Sequence, residues 1–308
     1  MPAVSVIMPI FNAQGMVVPA IESVLRQTFT DFEIIAVDDC SSDQSWNQVQ
    51  ALQDSRIRSF QAARNSGASA ARNLGIRQAR GEWLAFLDAD DQWSPHHLEV
   101  MLGCANGHVF VAPSKLGCVP DAHGWLRPLE EPAEVESNNI RPLDHSSFAA
   151  ALGREYVFTK SAFVKEHRIG FLETGGRADC GGDWMYYVSE LLLKGAHGCV
   201  ALKPTYLYRV TGYHNSSSYE AMAQEFSTID RLSKDRGVPL EVRDSLARSL
   251  PDIRRRLNAA ALRSRQWKQF FRLLAANPSN IFYVAGASVS FLFRKLQHSM
   301  KQRGLRST

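Results

Sequence analysis

Three carboxylates stand together in the stretch EWLAFLDADDQWSP. Asp88, Asp90 and Asp91 directly follow an apolar run that reads as a buried strand. Like charges this close raise one another's pKa, so the cluster is costly unless a cation neutralises it. Because hard divalent cations take carboxylate oxygens as ligands, the spacing indicates a metal site. The competing interpretation is a polar turn before a helix, with Ser94 as N-cap and Pro95 as its first residue.

A second acidic group lies in FEIIAVDDCSSD. Asp38 and Asp39 end another apolar run, and Asp43 follows three residues after the cysteine. Carboxylates here could accept hydrogen bonds from the base or ribose of a nucleotide. Alternatively, they only shape a turn and cap the helix that begins near Trp46.

The elements that must position these groups alternate along the chain. Apolar runs rich in Val, Ile and Phe predict strands in VSVIMPIF, FEIIAVDD, IRSFQA and EWLAFLDADD, and three- and four-residue spacing predicts helices over 20–27, 45–52, 68–79 and 95–102. Such alternation predicts an α/β fold with a mostly parallel sheet and crossover helices. Ligands of such sheets collect beyond the carboxyl ends of the strands. We therefore expect Asn12, the Asp38–Asp39 pair and the 88–91 carboxylates to converge in one cleft.

Composition and motifs exclude several classes of protein. The turn after the first strand, FNAQG, lacks the G-x-G-x-x-G glycines of a dinucleotide fold, and no G-x-x-x-x-G-K-[ST] phosphate loop occurs. The five cysteines are odd in number and show no CxxC spacing, which favours neither a disulfide framework nor a zinc site. No basic residue precedes the first apolar run, so that run reads as a strand and not as a signal peptide. The expected location is a reducing cytoplasm.

Charge is distributed unevenly. Residues 253–308 carry twelve Lys and Arg and no acidic residue, so the first 252 residues hold the other 23 basic residues against all 31 acidic ones, a net charge of −8. Within this basic segment, IFYVAGASVSFLF would form a helix of roughly 20 Å, shorter than the roughly 30 Å core of a bilayer. We expect it not to span a membrane. Two interpretations remain open: a segment at the inner surface of an anionic membrane, or a helical cap with a solvated, Arg-rich face. Nucleic acid is not an expected partner, since no RRM, KH or HTH signature is present.

Four stretches together carry a family resemblance. They are VSVIMPIFNA, FEIIAVDDCSSD, NSGASAARNLGIRQARGEWLAFLDADD and GGDWMYYVSELL. In this order and spacing they resemble the inverting family 2 glycosyltransferases, which have a Rossmann-like GT-A fold. The resemblance implies a nucleotide-sugar-binding half over residues 1–104, an acceptor-binding half over 105–218, and a basic C-terminal helical extension over 219–308.

The same resemblance implies roles for individual residues. A UDP-sugar donor would be bound by Pro9, Phe11, Asn12, Asp38, Asp39, Asn65, Arg72, Asp88, Asp90 and Arg209. Phe11 would lie near the base, Asp39 would accept from its imide, and Arg72 would approach the nucleotide. The DxD motif, Asp88-Ala89-Asp90, would hold Mg²⁺ or Mn²⁺. His214 is a candidate third ligand in a Ser-rich loop, where a solvated surface histidine is the alternative.

Asp183 would be the base that takes the proton of the acceptor hydroxyl. The helical run WMYYVSELLL follows it, so its alternative role is helix N-cap. Two departures from the family pattern stand out: Phe11 replaces a frequent Tyr, and Cys40 replaces a usual Gly, which leaves the second loop open to a different bend.

The sequence thus predicts an enzyme that moves a sugar onto a glycan or lipid-linked acceptor in surface polysaccharide synthesis, from the cytoplasm or the inner membrane face. The alternative is a non-catalytic module that binds nucleotide-sugar or nucleic acid through its basic tail.

Overall fold

The computed structural model of the chain describes residues 1–132, 134–143, 157–171, 173, 182–210, 219–236, 238 and 240–263. In the first part, strands and helices alternate as β1 Val4–Ile10, α1 Val17–Leu25, β2 Phe32–Asp38, α2 Ser45–Ala51, β3 Ile57–Gln61, α3 Ala68–Gln78, β4 Trp83–Phe86, β5 Gln92–Trp93 and α4 His97–Cys104. The four predicted strands and four predicted helices are confirmed. Their boundaries differ from the prediction by a few residues.

The start of α4 is the one local prediction that was wrong. The helix begins at His97 and not at Pro95, and Ser94 does not cap it. The backbone N–H of Ser94 instead donates to the Thr205 carbonyl at 2.9 Å, which continues the pairing of β5 with a later strand. Long-range pairing therefore overrides the local capping signal.

The sheet of this first part is parallel, in the order β3, β2, β1, β4. Every residue of β1 and β2 is buried, as expected for strands covered by helices on both faces. Gly75 lets α3 approach β1 closely, because a Cβ there would lie 2.4 Å from Cγ2 of Ile7. This contact fixes α3 beside the strand ends.

The second part adds β6 Phe110–Pro120, β7 Leu126–Pro128, β8 Ile140–Leu143, β9 Phe158–Lys160, α5 Ser161–Glu166, α6 Gly182–Leu193 and β10 Gly198–Arg209. The described sheet continues from β4 through β9, β6 and β10 to β5. Here parallel and antiparallel ladders mix: β9 runs antiparallel to both β4 and β6, while β10 runs parallel to β6.

Two helices, α7 Tyr219–Lys234 and α8 Leu240–Arg263, form the described part of the C-terminal extension. They pack around a small core in which Ile229, Leu232, Val238, Leu246 and Ile253 are buried. Leu192 and Leu193 of α6 pack against this core, so the helical pair is attached to the rest of the protein through α6. Residues 264–308, including the apolar stretch 281–293, lie outside the described residues. Among the described helices, none has the length and hydropathy needed to cross a membrane.

Candidate active site

The carboxyl ends of β2, β1 and β4 lie side by side, as predicted. In the parallel register, Ile10 at the end of β1 pairs with Asp38 at the end of β2. The Asp39 N–H donates to the Ile10 carbonyl at 2.8 Å, and the Leu87 N–H donates to the Ile7 carbonyl at 3.1 Å. The acidic residues that follow β2 and β4 therefore share one edge of the sheet.

The carboxylates after β4 form a compact cluster. Asp88, Asp90 and Asp91 each offer an oxygen, and these three atoms lie within 4.8 Å of one another. Asp91 is buried, Asp88 is partly exposed, and Asp90 is open to solvent. Hard oxygen ligands at this spacing suit Mg²⁺ or Mn²⁺, so the residues present fit the predicted cation.

Two arginines border the cluster from opposite sides. Arg72 of α3, itself buried, donates from Nη2 to Oδ1 of Asp88 at 2.8 Å. Arg209 at the end of β10 donates from its backbone N to Oδ1 of Asp91 at 2.8 Å and from Nε to the Asp90 carbonyl at 2.7 Å. Both predicted donor-binding arginines are thus brought to the predicted metal-binding aspartates.

The arginines do not fully offset the repulsion among the carboxylates. Desolvation in the cleft, followed by the charge of Asp88, raises the pKa of Asp90 to about 6. Burial, followed by the charges of Asp90 and Asp88, raises the pKa of Asp91 well above its ordinary value. At neutral pH the folded protein therefore holds these carboxylates at a cost that a bound cation would remove.

The acidic residues after β2 are held differently. Both oxygens of Asp39 accept backbone N–H groups: Oδ2 from Gly67 at 2.7 Å, and each oxygen from Ser66. Oδ2 of Asp38 accepts from the Ser41 N–H and from Nε2 of Gln61, each at 3.1 Å. These bonds tie the loop after β2 to β3 and to the start of α3.

The remaining predicted donor-binding residues line the same loops. Asn65 donates from Nδ2 to the Asp39 carbonyl at 3.2 Å, and Oδ1 of Asn12 accepts the Ser42 N–H at 2.8 Å. Phe11 is 47% exposed, which leaves its ring available to a ligand, whereas Pro9 is buried within β1.

Two loop residues take left-handed backbone conformations. Asn12 has φ 48° and Cys40 has φ 62°. A non-glycine residue in this region is strained. Cys40 therefore keeps the conformation that a glycine would adopt readily, and the loop does not need a different bend.

Sequence reasoning missed Tyr206 of β10. This tyrosine is fully buried, and its hydroxyl oxygen accepts the Asp88 N–H at 3.5 Å. Burial, followed by the charges of Asp91 and Asp88, raises the pKa of Tyr206 well above its ordinary value, so the hydroxyl stays protonated. The alternation in TYLYR places Tyr206 in a strand, but only the pairing with β5 brings it to the carboxylates.

Asp183 is the second residue of α6, as the helical run after it predicts. Its side chain lies outside the described residues, and so do His214 and the neighbouring Asp179. Their roles stay predictions.

Comparisons with known proteins agree with this geometry. Residues 5–150 match the family model described as glycosyl transferase family 2. The succinoglycan biosynthesis protein ExoO of Rhizobium meliloti (strain 1021) is 41% identical over 223 residues, which cover 68% of this chain and 61% of that protein. The UDP-Glc:alpha-D-GlcNAc-diphosphoundecaprenol beta-1,3-glucosyltransferase WfgD of Escherichia coli is 40% identical over 99 residues, which cover 32% of this chain and 39% of that protein. In both cases the match spans less than two thirds of the relative's length.

Among solved structures, S. aureus TarS 1-349 in complex with UDP-GlcNAc superposes with a TM-score of 0.58 at 19% identity, covering 99% of this chain and 93% of that one. At this identity the likeness concerns the fold alone. The family match over the first half, the aspartate cluster within it and the shared GT-A architecture lead to one conclusion: the chain belongs to the family 2 glycosyltransferases.

Proposed function

We propose that this protein transfers a sugar from a UDP-sugar, with inversion at the anomeric carbon, to a hydroxyl of a glycan or lipid-linked acceptor. The observation that carries the proposal is the group of three carboxylate oxygens within 4.8 Å at the end of β4, bordered by Arg72 and Arg209. Such a group matches the needs of a diphosphate held through a divalent cation.

The donor diphosphate would lie over this cluster. Asp88 and Asp90 would hold Mg²⁺ or Mn²⁺, with His214 as a further ligand, and the cation would supply charge neutralisation to the diphosphate that departs. Arg209 and Arg72 are the cationic side chains next to that position. They would orient the phosphates by charge-assisted hydrogen bonds.

The nucleoside would extend toward the loop after β2. An ionised carboxylate has about four acceptor positions, so Asp39 can accept an imide N–H in addition to the backbone N–H groups of Ser66 and Gly67. The exposed ring of Phe11 would stack on the base. Pro9, Asn12, Asp38 and Asn65 would support this loop.

Asp183 would accept the proton of the acceptor hydroxyl as its oxygen attacks the sugar. The start of α6 suits an anionic base, because the first turn of a helix stabilises negative charge. Attack from the side opposite to the departing diphosphate inverts the anomeric carbon.

The acceptor side of the proposal rests on the relatives. One is named for succinoglycan biosynthesis, and another for transfer to a diphosphoundecaprenol-linked sugar. A lipid-linked acceptor would place the reaction at the cytoplasmic face of a membrane, with residues 105–218 on the acceptor side and residues 253–308 near anionic lipid. Ile253 and Leu257 are buried in the protein, so the half-exposed Arg254, Arg255 and Arg256 would be the first contacts.

The family match favours this enzyme over a non-catalytic binding module. Incubation with UDP-glucose or UDP-GlcNAc, Mn²⁺ and a GlcNAc-diphosphate lipid tests the choice through release of UDP. The enzyme releases UDP, whereas a binding module releases none.

Asp183→Asn tests the base within that assay. UDP affinity should stay nearly unchanged while turnover falls at least about 10²-fold, the low end for a general base. Since Asn is also a good N-cap, a purely capping role predicts little loss. Asp179→Asn is the matched control, and a loss confined to that variant would move the base to Asp179.

A further inference from the structure

The side chain of Asn73 in α3 holds a distant piece of backbone. Its Oδ1 accepts the Phe171 N–H at 2.7 Å, and its Nδ2 donates to the Phe171 carbonyl at 2.9 Å. The same Nδ2 also donates to Oε1 of Glu173 at 2.7 Å. One amide side chain thus fixes both backbone polar groups of Phe171, nearly a hundred residues later in the chain.

The Phe171 ring connects elements on both sides of the site. It is buried and stacks on Tyr187 of α6, with ring centroids 4.5 Å apart and an interplanar angle of 7°. Phe86, the last residue of β4, meets Phe171 edge-on at 5.4 Å and Tyr187 edge-on at 5.7 Å. The Arg72 guanidinium lies 5.2 Å from the Phe171 ring centroid.

These contacts form a continuous path between the two halves of the proposed reaction. At one end, Arg72 binds Asp88 and Phe86 lies two residues before it. At the other end, Tyr187 lies four residues after Asp183 on α6, and residues four apart share one face of a helix. Phe171 is the side chain that touches both ends.

We propose that Asn73 and Phe171 are positioning residues that set the distance between the aspartate cluster after β4 and the first turn of α6. Asn73 fixes the backbone of Phe171, and the Phe171 ring holds Arg72 on one side and Tyr187 on the other. The inference rests on the proposed function in that Asp183 supplies the base. A shift of about 1 Å in such a group can cost about 10²-fold in rate, even when the shift originates away from the reacting atoms.

The test compares Phe171→Leu with a matched core variant, Phe158→Leu. Phe158 on β9 is equally buried and stacks on Trp83, with centroids 4.7 Å apart and an interplanar angle of 6°, but it contacts neither Arg72 nor α6 in any described pair. Each variant therefore loses one stacked aromatic pair. Asn73→Ala is the second variant, which removes the clamp without opening a cavity among the rings.

Three quantities are measured in the full chain: the melting temperature, the affinity for UDP with Mn²⁺, and the rate of UDP release from UDP-glucose or UDP-GlcNAc. Amide hydrogen exchange in α6 is followed in parallel. We expect Phe171→Leu and Asn73→Ala to lower UDP release by about 10- to 10²-fold, to change UDP affinity by less than about threefold, and to speed exchange in α6. At a similar loss of melting temperature, Phe158→Leu should leave release and α6 exchange close to those of the wild type.

Equal losses of UDP release and equal α6 exchange in the Phe171→Leu and Phe158→Leu proteins would overturn the inference, because both phenylalanines would then be ordinary core residues. A wild-type protein that releases no UDP would contradict the proposed function instead. The exchange comparison decides the positioning of α6 in either case.

Discussion

Two acidic strand ends meet at the same edge of the sheet, and the fold treats them in opposite ways. After β2, the carboxylates of Asp38 and Asp39 accept hydrogen bonds from backbone N–H groups and from Gln61. After β4, burial and mutual repulsion raise the pKa of Asp90 and of Asp91. The same residue type is stabilised by its own protein in one place and left costly in the other.

The difference separates a structural acid from a ligand-binding one. The capping and turn interpretation, open for both groups from sequence, describes the β2 group in part: Asp43 accepts from the N–H groups of Ser45 and Gln14, and these bonds lower its pKa against a small opposing effect of burial. That interpretation fails after β4, where Ser94 and Pro95 do not start the helix. Strain that the protein does not relieve by itself marks a site for a ligand.

The largest effect should come from removing the cation or its ligand after β4. Chelation with EDTA, or Asp88→Ala, should lower UDP release by at least about 10²-fold, because the departing diphosphate loses its charge stabilisation. Excess Mn²⁺ should restore the chelated wild type and not the variant. Full turnover in excess chelator would contradict a metal role for these aspartates.

A change after β2 should act on stability first. Asp39→Ala leaves the N–H groups of Ser66 and Gly67 without their acceptor, which should lower the free energy of unfolding by about 1–3 kcal/mol. Urea unfolding without ligand measures this loss. If Asp39→Ala were as stable as the wild type, the contrast between the two strand ends would disappear.

The smallest effect has the opposite sign. A carboxyl whose pKa is raised to about 6 in the folded protein destabilises it above that pH, and this cost fades as the pH falls from about 6 toward the unfolded value of 3.8. In EDTA at neutral pH, Asp90→Asn should therefore raise the free energy of unfolding by up to about 1 kcal/mol, a figure reduced for solvent screening at this open position.

The pH dependence provides the control for that experiment. The gain from Asp90→Asn should shrink as the pH is lowered from 7 to 4, since the wild-type carboxyl takes up its proton there. A variant that is less stable than the wild type in EDTA at pH 7 would mean that the Asp90 carboxylate is already satisfied in the folded protein.

The first half of the fold could be predicted because each element carries its own signal. The apolar runs of β1, β2 and β4 and the helical spacing of α3 are local, and parallel pairing then brings Asn12, Asp38 and Asp88 to one edge. The clustering of Asp88 and Asp90 was readable from their spacing alone.

The remainder depends on contacts between distant parts of the chain. β9 has three residues, and β6 contains two prolines, so neither shows a clear strand pattern. Tyr206 reaches Asp88 only because β10 pairs with β5, and Asn73 reaches Phe171 across 98 residues. No local periodicity encodes such neighbours.

Direct titration of Mn²⁺ in the presence of UDP tests the central claim, that the carboxylates after β4 form a cation site while those after β2 are structural. Calorimetry on the wild type, Asp90→Ala and Asp38→Asn provides the comparison. We expect one Mn²⁺ site in the wild type, its loss in Asp90→Ala, and its retention in Asp38→Asn. Equal Mn²⁺ binding by the wild type and Asp90→Ala would contradict the account.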